Sequence, residues 1–374
     1  MELTLGGAEM MLWKVLSRLD RKRFEPLVVA LSSRVDGMLA LFDHAGVPYR
    51  IIGMRSRVDA FALCRLVAAL KEFQPEIIQG WMYHGNLAAS FSAPWVPGRP
   101  PVLWNIRGTL NLSQEKRFSA FAIWLSAKLS FLPRKIVNNS LESALEHEQR
   151  LGYKSSKRVI LPNGFDVDTF CPSNEARAGL RTNLGLRPDT LLIGLIGRYH
   201  PMKDHESFLR SAALVSAQFP EVHFVLAGEN VDPANARLSG LITSLGLTDR
   251  AHLLGIRSDM AAVTAALDIS TSASSGGEGF PNVIGEAMSC GVPCVVTDVG
   301  ASAWIVGETG ACVPAQDPHA LARGIADLIQ AGPDGRHELG RRARERIIEH
   351  FSLASVVVEY EALYMKVHSE ALRH

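Results

Sequence analysis

The chain has 374 residues, with 39 Lys+Arg against 38 Asp+Glu and a formal net charge of +1. That length exceeds what one core usually fills, so two domains are expected, and an apolar share of 47% with 21% charged suits a globular protein. The balanced charge excludes a chain built mainly for nucleic acid, and the longest apolar stretch, Ala120 to Leu132, is too short to cross a bilayer and is broken by Lys128. No charged segment followed by an apolar one opens the sequence, so no signal peptide is expected. Five scattered cysteines (64, 171, 290, 294 and 312) fit a reducing compartment. Cys290 and Cys294 lie in apolar runs without zinc spacing and read as core.

In chain order, Gly6-Gly7-Ala8-Glu9 reads as a loop opening a helix over Ala8–Leu19. Apolar strand-like runs follow at Phe24–Leu31, Tyr49–Met54, Ile77–Trp81, Val102–Ile106 and Lys135–Asn138. Helical patterns at Phe61–Phe73 and Leu141–Leu151 lie among them. After a polar, Pro-marked stretch near Asp168–Arg187 the alternation resumes. Its strands are Leu191–Ile196, His223–Ala227, His252–Leu254, Ile269–Ala273, Cys294–Thr297 and Ala311–Pro314; its helices include Glu206–Gln218 and Leu321–Gln330. Continuous apolar strands alternating with helices mean parallel sheets covered on both faces. Two such runs fit two doubly wound domains. Two further helices close the sequence, Gly335–His350 and one with Phe351, Val356, Val357, Tyr360, Leu363 and Tyr364 as its apolar set. One irregularity stands out: the glycine loop should follow a central first strand, yet only Met1 to Leu5 precede it. A start assigned downstream of the true one would explain this.

The most informative segment runs from Ser274 to Gly291. It places a Gly-rich loop after a strand and before a helix of about ten residues, with Pro281 in the first turn and Gly291 at the end. Unpaired amides and the positive end of the helix dipole make such a loop an anion site. Glu278 in the loop and Glu286 in the helix would accept hydrogen bonds from hydroxyls. Phosphate and hydroxyl recognition together suggest a sugar nucleotide. A solvated turn with an acidic helix start would leave the same local pattern.

The two glutamates eight apart around Gly279-Phe280-Pro281 resemble the retaining glycosyltransferases of family 4, whose fold is GT-B. Other segments match that pattern in order: Gly6-Gly7-Ala8-Glu9, Leu161-Pro162-Asn163-Gly164-Phe165-Asp166, Gly197-Arg198 with Lys203-Asp204, and Gly310 to Pro314 with Asp317-Pro318. The resemblance implies an α/β GT-B fold with two Rossmann-like domains facing a cleft. Residues 1–170 would form the acceptor-side domain with its first strand truncated, 171–187 a linker, and 188–350 the donor domain. Residues 351–374 would be a helix packing back on the N-terminal domain.

The resemblance also implies a reaction: a sugar moves from a nucleoside diphosphate to a glycan or lipid-linked acceptor with retained configuration. Arg198 and Lys203 would neutralise the diphosphate. Glu278 would meet the donor sugar amid the amides of Gly279, Phe280 and Asn282, beside Pro281. Glu286 would take the ribose hydroxyls, and Gly6 and Gly7 would approach the diphosphate from the other domain. Fixed positive groups can stabilise the leaving group, so neither cofactor nor metal is expected. The Asp166-Val167-Asp168 sequence imitates a metal motif but sits in the family's linker stretch.

On the acceptor side, Trp81-Met82-Tyr83-His84 follows a strand where the family carries a His near the donor sugar. His84 is the candidate, although many relatives place that residue nearer Trp81. Arg107 ends the next strand and points to the cleft by topology. Phe118, Phe121, Trp124, Leu125 and Leu129 form an apolar stripe flanked by Lys116, Arg117, Lys128, Arg134 and Lys135. A core-facing helix is one reading; peripheral contact with the inner membrane face is the other. Exopolysaccharide or surface-glycan synthesis in the cytoplasm would fit the family. Two alternatives stay open: a catalytically crippled sugar-nucleotide binder and a GT-B sugar-nucleotide epimerase. A nicotinamide oxidoreductase is excluded, because no G-x-G-x-x-G run is present.

Overall fold

A computed structural model describes residues 6–35, 37–54, 59–110 and 117–373. The chain divides into two compact units. One comprises Met1–Gly164 with Leu353–His374, the other Phe165–Ser352.

Among the described residues the first unit carries six strands: β1 (Val28–Ala30), β2 (Tyr49–Ile51), β3 (Ile78–Gln79), β4 (Val102–Ile106), β5 (Lys135–Asn138) and β6 (Arg158–Ile160). All pairings are parallel, but they form two sheets, β1-β2 and β3-β4-β5-β6. β4 is buried at every position, as a strand covered on both faces must be. Helix Leu141–Leu151 starts where expected because the Ser140 hydroxyl accepts from the Ser143 amide at 3.0 Å. The C-terminal helix, Leu353–Leu372, belongs to this unit and buries Val356, Val357, Tyr360, Leu363 and Val367. Its core also contains Met11 and Val15 of helix Gly7–Arg18. The short first strand expected over Met1–Leu5 lies outside the described residues.

The second unit holds one six-stranded parallel sheet in the order β12-β11-β10-β7-β8-β9. Its strands are β7 (Leu192–Ile196), β8 (His223–Ala227), β9 (Ala251–Leu253), β10 (Ile269–Ser272), β11 (Cys294–Thr297) and β12 (Gly310–Val313). Two boundaries differ from the expected ones. The linker expected over 171–187 contains helix Asn174–Asn183, capped by Ser173. Its Arg181 is 1% exposed and pairs with Asp268 at 2.7 Å, so this stretch is part of the second unit's core. The unit also begins earlier than residue 188. Phe165 is buried against Phe280 and Phe351, and its amide bonds the Phe351 carbonyl at 2.8 Å.

Candidate active site

Sheet order dictates where a ligand can sit in the second unit. From β7 the chain winds outward through β8 and β9, then returns to β10 on the other side of β7. That reversal is a topological switch point, where open α/β sheets bind ligands beyond the carboxyl ends of their strands. Register places Leu195 opposite Thr271, so the loops after Ile196 and after Ser272 emerge side by side. These loops carry Gly197 to Lys203 and Ser274 to Pro281, both singled out in the sequence.

The two loops are tied together. The Ser275 amide donates to the Met202 carbonyl at 2.9 Å. The Lys203 ammonium forms an ion pair with Glu278 Oε1, and Ser274 Oγ donates to the same oxygen at 3.0 Å. Glu278 is only 8% exposed, so its charge is held by these two partners. Arg198 is exposed and makes no ion pair with a described residue. The structure thus brings Lys203 and Glu278 into direct contact, whereas the sequence reading gave them separate ligand groups.

Backbone geometry locks this arrangement. Gly300 has φ +56°, and a Cβ there would fall 1.9 Å from the Glu278 carbonyl oxygen. A Cβ on Gly228 would fall 2.3 Å from the Gly197 carbonyl oxygen. Only glycine allows these approaches.

Helix Asn282–Ser289 follows, shorter than expected. Pro281 is its N-cap rather than a first-turn residue, and no side chain caps the helix. The positive end of the dipole therefore faces the loop. Glu286 lies one turn in, half-buried. Phe280 is buried and packs on Phe165, Phe351 and Trp304, anchoring the loop to the core. Gly285 is required there, because its Cβ would meet the Phe165 ring at 2.1 Å.

His205, to which the sequence gave no role, opens helix His205–Gln218 two residues after Lys203. It is 3% exposed, packs at a tilt against the Tyr199 ring and has no hydrogen-bond partner at either ring nitrogen. Burial pushes its pKa down to about 4; Lys203 adds to this, while the Gly197 backbone and Asp204 oppose it. Ser274 is the other residue the sequence left without a role. Its place in the loop was visible, but its bond to Glu278 was not.

In the first unit, Gly6 and Gly7 open helix Gly7–Arg18. The Trp81 indole donates to the Ala8 carbonyl at 3.0 Å, fixing the glycine loop beside the end of β3. His84 lies on helix Met82–Ser92 and stacks on Phe118 at 5.5 Å. Arg107 does not face a cleft. It is buried and donates to the carbonyls of Leu161 (2.9 Å) and Pro162 (3.0 Å), to Asn163 Oδ1 and to Tyr360 Oη (2.8 Å). Arg107 therefore clamps the Leu-Pro-Asn-Gly stretch to the C-terminal helix.

The apolar stripe also divides. Ile123 and Ala127 are buried and Leu125 and Leu129 pack against the core, while Phe121 and Trp124 are 54% and 49% exposed and stack at 5.7 Å. Lys116 lies outside the described residues. Asp166 Oδ1 accepts from the amides of Asp168 (3.2 Å) and Thr169 (3.0 Å), closing a turn.

A model of group 1 glycosyl transferases matches residues 190–331, and one of Glycosyltransferase Family 4 matches 5–169. A D-inositol 3-phosphate glycosyltransferase of Mycobacterium sp. (strain JLS) is 34% identical over 208 residues, covering 54% of this chain and 45% of that protein. The putative glycosyltransferase EpsF of Bacillus subtilis is 30% identical over 146 residues, 37% of this chain and 35% of its own. The chain thus spans about half the length, or less, of these curated relatives. Among solved structures, Anabaena Alr3699/HepE in complex with UDP superposes with TM-score 0.84 at 21% identity over 97% of both chains. A glycosyltransferase of Rickettsia africae gives 0.83 at 18%, over 97% of this chain and 95% of that one. These likenesses establish the GT-B fold. With the two family models matching successive halves and the switch-point loops carrying the expected motifs, the chain belongs to the group 1, family 4 glycosyltransferases.

Proposed function

We propose that the protein is a retaining glycosyltransferase that moves a sugar from a nucleoside-diphosphate sugar to a glycan or lipid-linked acceptor. The observation that carries this reading is the switch-point cluster: Glu278 held by Lys203 ahead of an uncapped helix, with Arg198 exposed on the adjoining loop. HepE, solved with UDP and with UDP-glucose, supports a nucleotide-sugar donor.

In this reading the diphosphate meets the amino end of helix Asn282–Ser289. Arg198 grips it as a planar fork, and Lys203 turns to it as a point charge. Glu278 is then released to accept from the donor-sugar hydroxyls, with Gly279, Phe280 and Asn282 offering amides. Glu286 takes the ribose hydroxyls. As the bond between anomeric carbon and phosphate oxygen breaks, negative charge gathers on the diphosphate, where the two cations stabilise it. Gly6, Gly7 and His84 are assigned to the same chemistry from the first unit. Incubation with a panel of nucleoside-diphosphate sugars tests the reading; donor hydrolysis or transfer from at least one supports it, and none across the panel refutes it.

A role in exopolysaccharide or surface-glycan synthesis belongs to the same reading, as the setting in which a glycan or lipid-linked acceptor would be met. Among the described residues no helix is long and apolar enough to cross a membrane. We assign contact with the cytoplasmic face of a membrane to the exposed Phe121–Trp124 stack beside Arg117 and Lys128. Flotation with anionic vesicles should capture the wild type and lose Phe121→Ser/Trp124→Ser; equal behaviour removes this assignment.

A further inference from the structure

A strained residue stands two positions before His84, the side chain assigned to the reaction from the first unit. Met82 follows β3 and Trp81 with φ +59°. This left-handed region is costly for a residue with a Cβ; Asn and Asp offset the cost with local side-chain bonds, and Met has none to offer. Such strain persists only where the surroundings impose it, and it gathers at functional turns. Met82 opens helix Met82–Ser92, so its backbone sets the direction in which Tyr83 and His84 leave β3.

The surroundings hold Met82 from both sides. Ahead of it, the Trp81 indole is bonded to the Ala8 carbonyl. Its own Sδ accepts from the Arg107 amide at 3.4 Å. One turn on, the Asn86 side chain donates to the Asn105 carbonyl (3.2 Å) and accepts from the Asn105 amide (3.1 Å). Gly80 admits this close pass, since a Cβ there would fall 2.4 Å from Asn86 Cα. The tie next to Met82 on the helix side is buried: Tyr83 Oη lies 2.7 Å from His147 Nε2. His147 Nδ1 lies 2.7 Å from the Ser143 carbonyl, which can only accept, so Nδ1 carries the proton. Burial lowers the pKa of this ring and keeps it neutral. Nε2 is then the acceptor and the Tyr83 hydroxyl the donor. A buried hydrogen bond and a left-handed backbone are of similar energy, so this one tie can decide the shape of the turn.

We propose that Tyr83 and His147 are positioning residues: their hydrogen bond holds Met82 in its strained conformation and thereby sets His84, whose ring stacks on Phe118 at 5.5 Å. The inference rests on the assigned reaction for one consequence, that losing the tie slows sugar transfer.

The test pairs Tyr83→Phe, which deletes the tie, with Met82→Gly, which deletes the strain that the tie opposes. Three quantities are read: the His84 ring-proton resonance, displaced by the Phe118 face; the rate of sugar transfer; and affinity for UDP. Tyr83→Phe should move the resonance toward that of a free histidine and slow transfer by about tenfold or more, with UDP affinity kept. His147→Phe removes the acceptor instead and should move the resonance in the same way. Adding Met82→Gly to Tyr83→Phe should return resonance and transfer toward wild type, although it removes a packed side chain; a merely structural pair would be damaged further. An unmoved resonance in Tyr83→Phe, or one that Met82→Gly does not return, would overturn the proposal. A wild type that transfers no sugar would refute the assigned reaction, while the resonance decides the positioning by itself.

Discussion

Lys203 and Glu278 lie 75 residues apart in sequence yet share one ion pair at the switch point of the second unit, with Ser274 completing the carboxylate's partners. The two residues assigned to opposite ends of the donor therefore neutralise each other before it arrives. Donor binding must exchange this pair for two new contacts.

That exchange makes the two substitutions behave differently. Glu278→Gln frees Lys203, so affinity for UDP alone should rise a few-fold while sugar transfer collapses. Lys203→Met removes a diphosphate contact and strands a buried carboxylate, so UDP binding should weaken at least tenfold and the unfolding free energy in urea should fall by about 2 kcal/mol. Calorimetric titration with UDP separates these outcomes; parallel losses of UDP affinity in both variants would remove the exchange.

Gly300→Ala should damage the loop without touching a ligand. Its φ of +56° and the 1.9 Å approach to the Glu278 carbonyl leave no room for Cβ. Backbone strain alone costs about 1–2 kcal/mol, and the loop must shift. Donor affinity should drop while the circular dichroism spectrum stays unchanged.

Arg107 is expected to matter for stability rather than for chemistry. Arg107→Met takes this donor from the Leu161 and Pro162 carbonyls and from Asn163 Oδ1, and leaves the Tyr360 hydroxyl with Asn105 alone. Denaturant unfolding should show a loss of roughly 3 kcal/mol or more, against about 1 kcal/mol for Tyr360→Phe. A stable Arg107→Met protein with lost activity would return Arg107 to the ligand.

His205 contributes an acid sensitivity. Its folded pKa of about 4 lies below the usual histidine value of 6.5. Between those limits the unfolded chain binds a proton that the folded one refuses, so stability falls as pH drops from 6.5 toward 4. The loss approaches ~3 kcal/mol at the lower end. His147 is depressed by burial in the same direction. His205→Phe should flatten the stability–pH curve in this window; an unchanged slope would contradict the assignment.

What was legible in the sequence depended on the range of the interactions involved. Val102–Ile106, Lys135–Asn138 and Cys294–Thr297 were readable to the residue because strands buried on both faces leave short runs dominated by apolar and β-branched residues. β6 was not read, since three half-buried residues beginning with Arg158 give no periodic signal. Helix Asn174–Asn183 resembled a linker because its defining contact, Arg181 with Asp268, spans 87 residues. Arg107 followed the topological rule for strand ends, but partners up to 253 residues away turned it inward. The donor loop was recognisable from Glu278, Phe280, Pro281 and Glu286. Its pairing with Lys203 was not, because nothing local dictates how two adjacent loops share charge.

The most direct test of the account is calorimetric titration of wild type and Arg198→Ala with UDP and with a panel of nucleoside-diphosphate sugars. The account expects at least one donor to bind the wild type and to lose ten-fold or more in affinity on Arg198→Ala. Equal affinity for the two proteins, or no donor bound by the folded wild type, would contradict it.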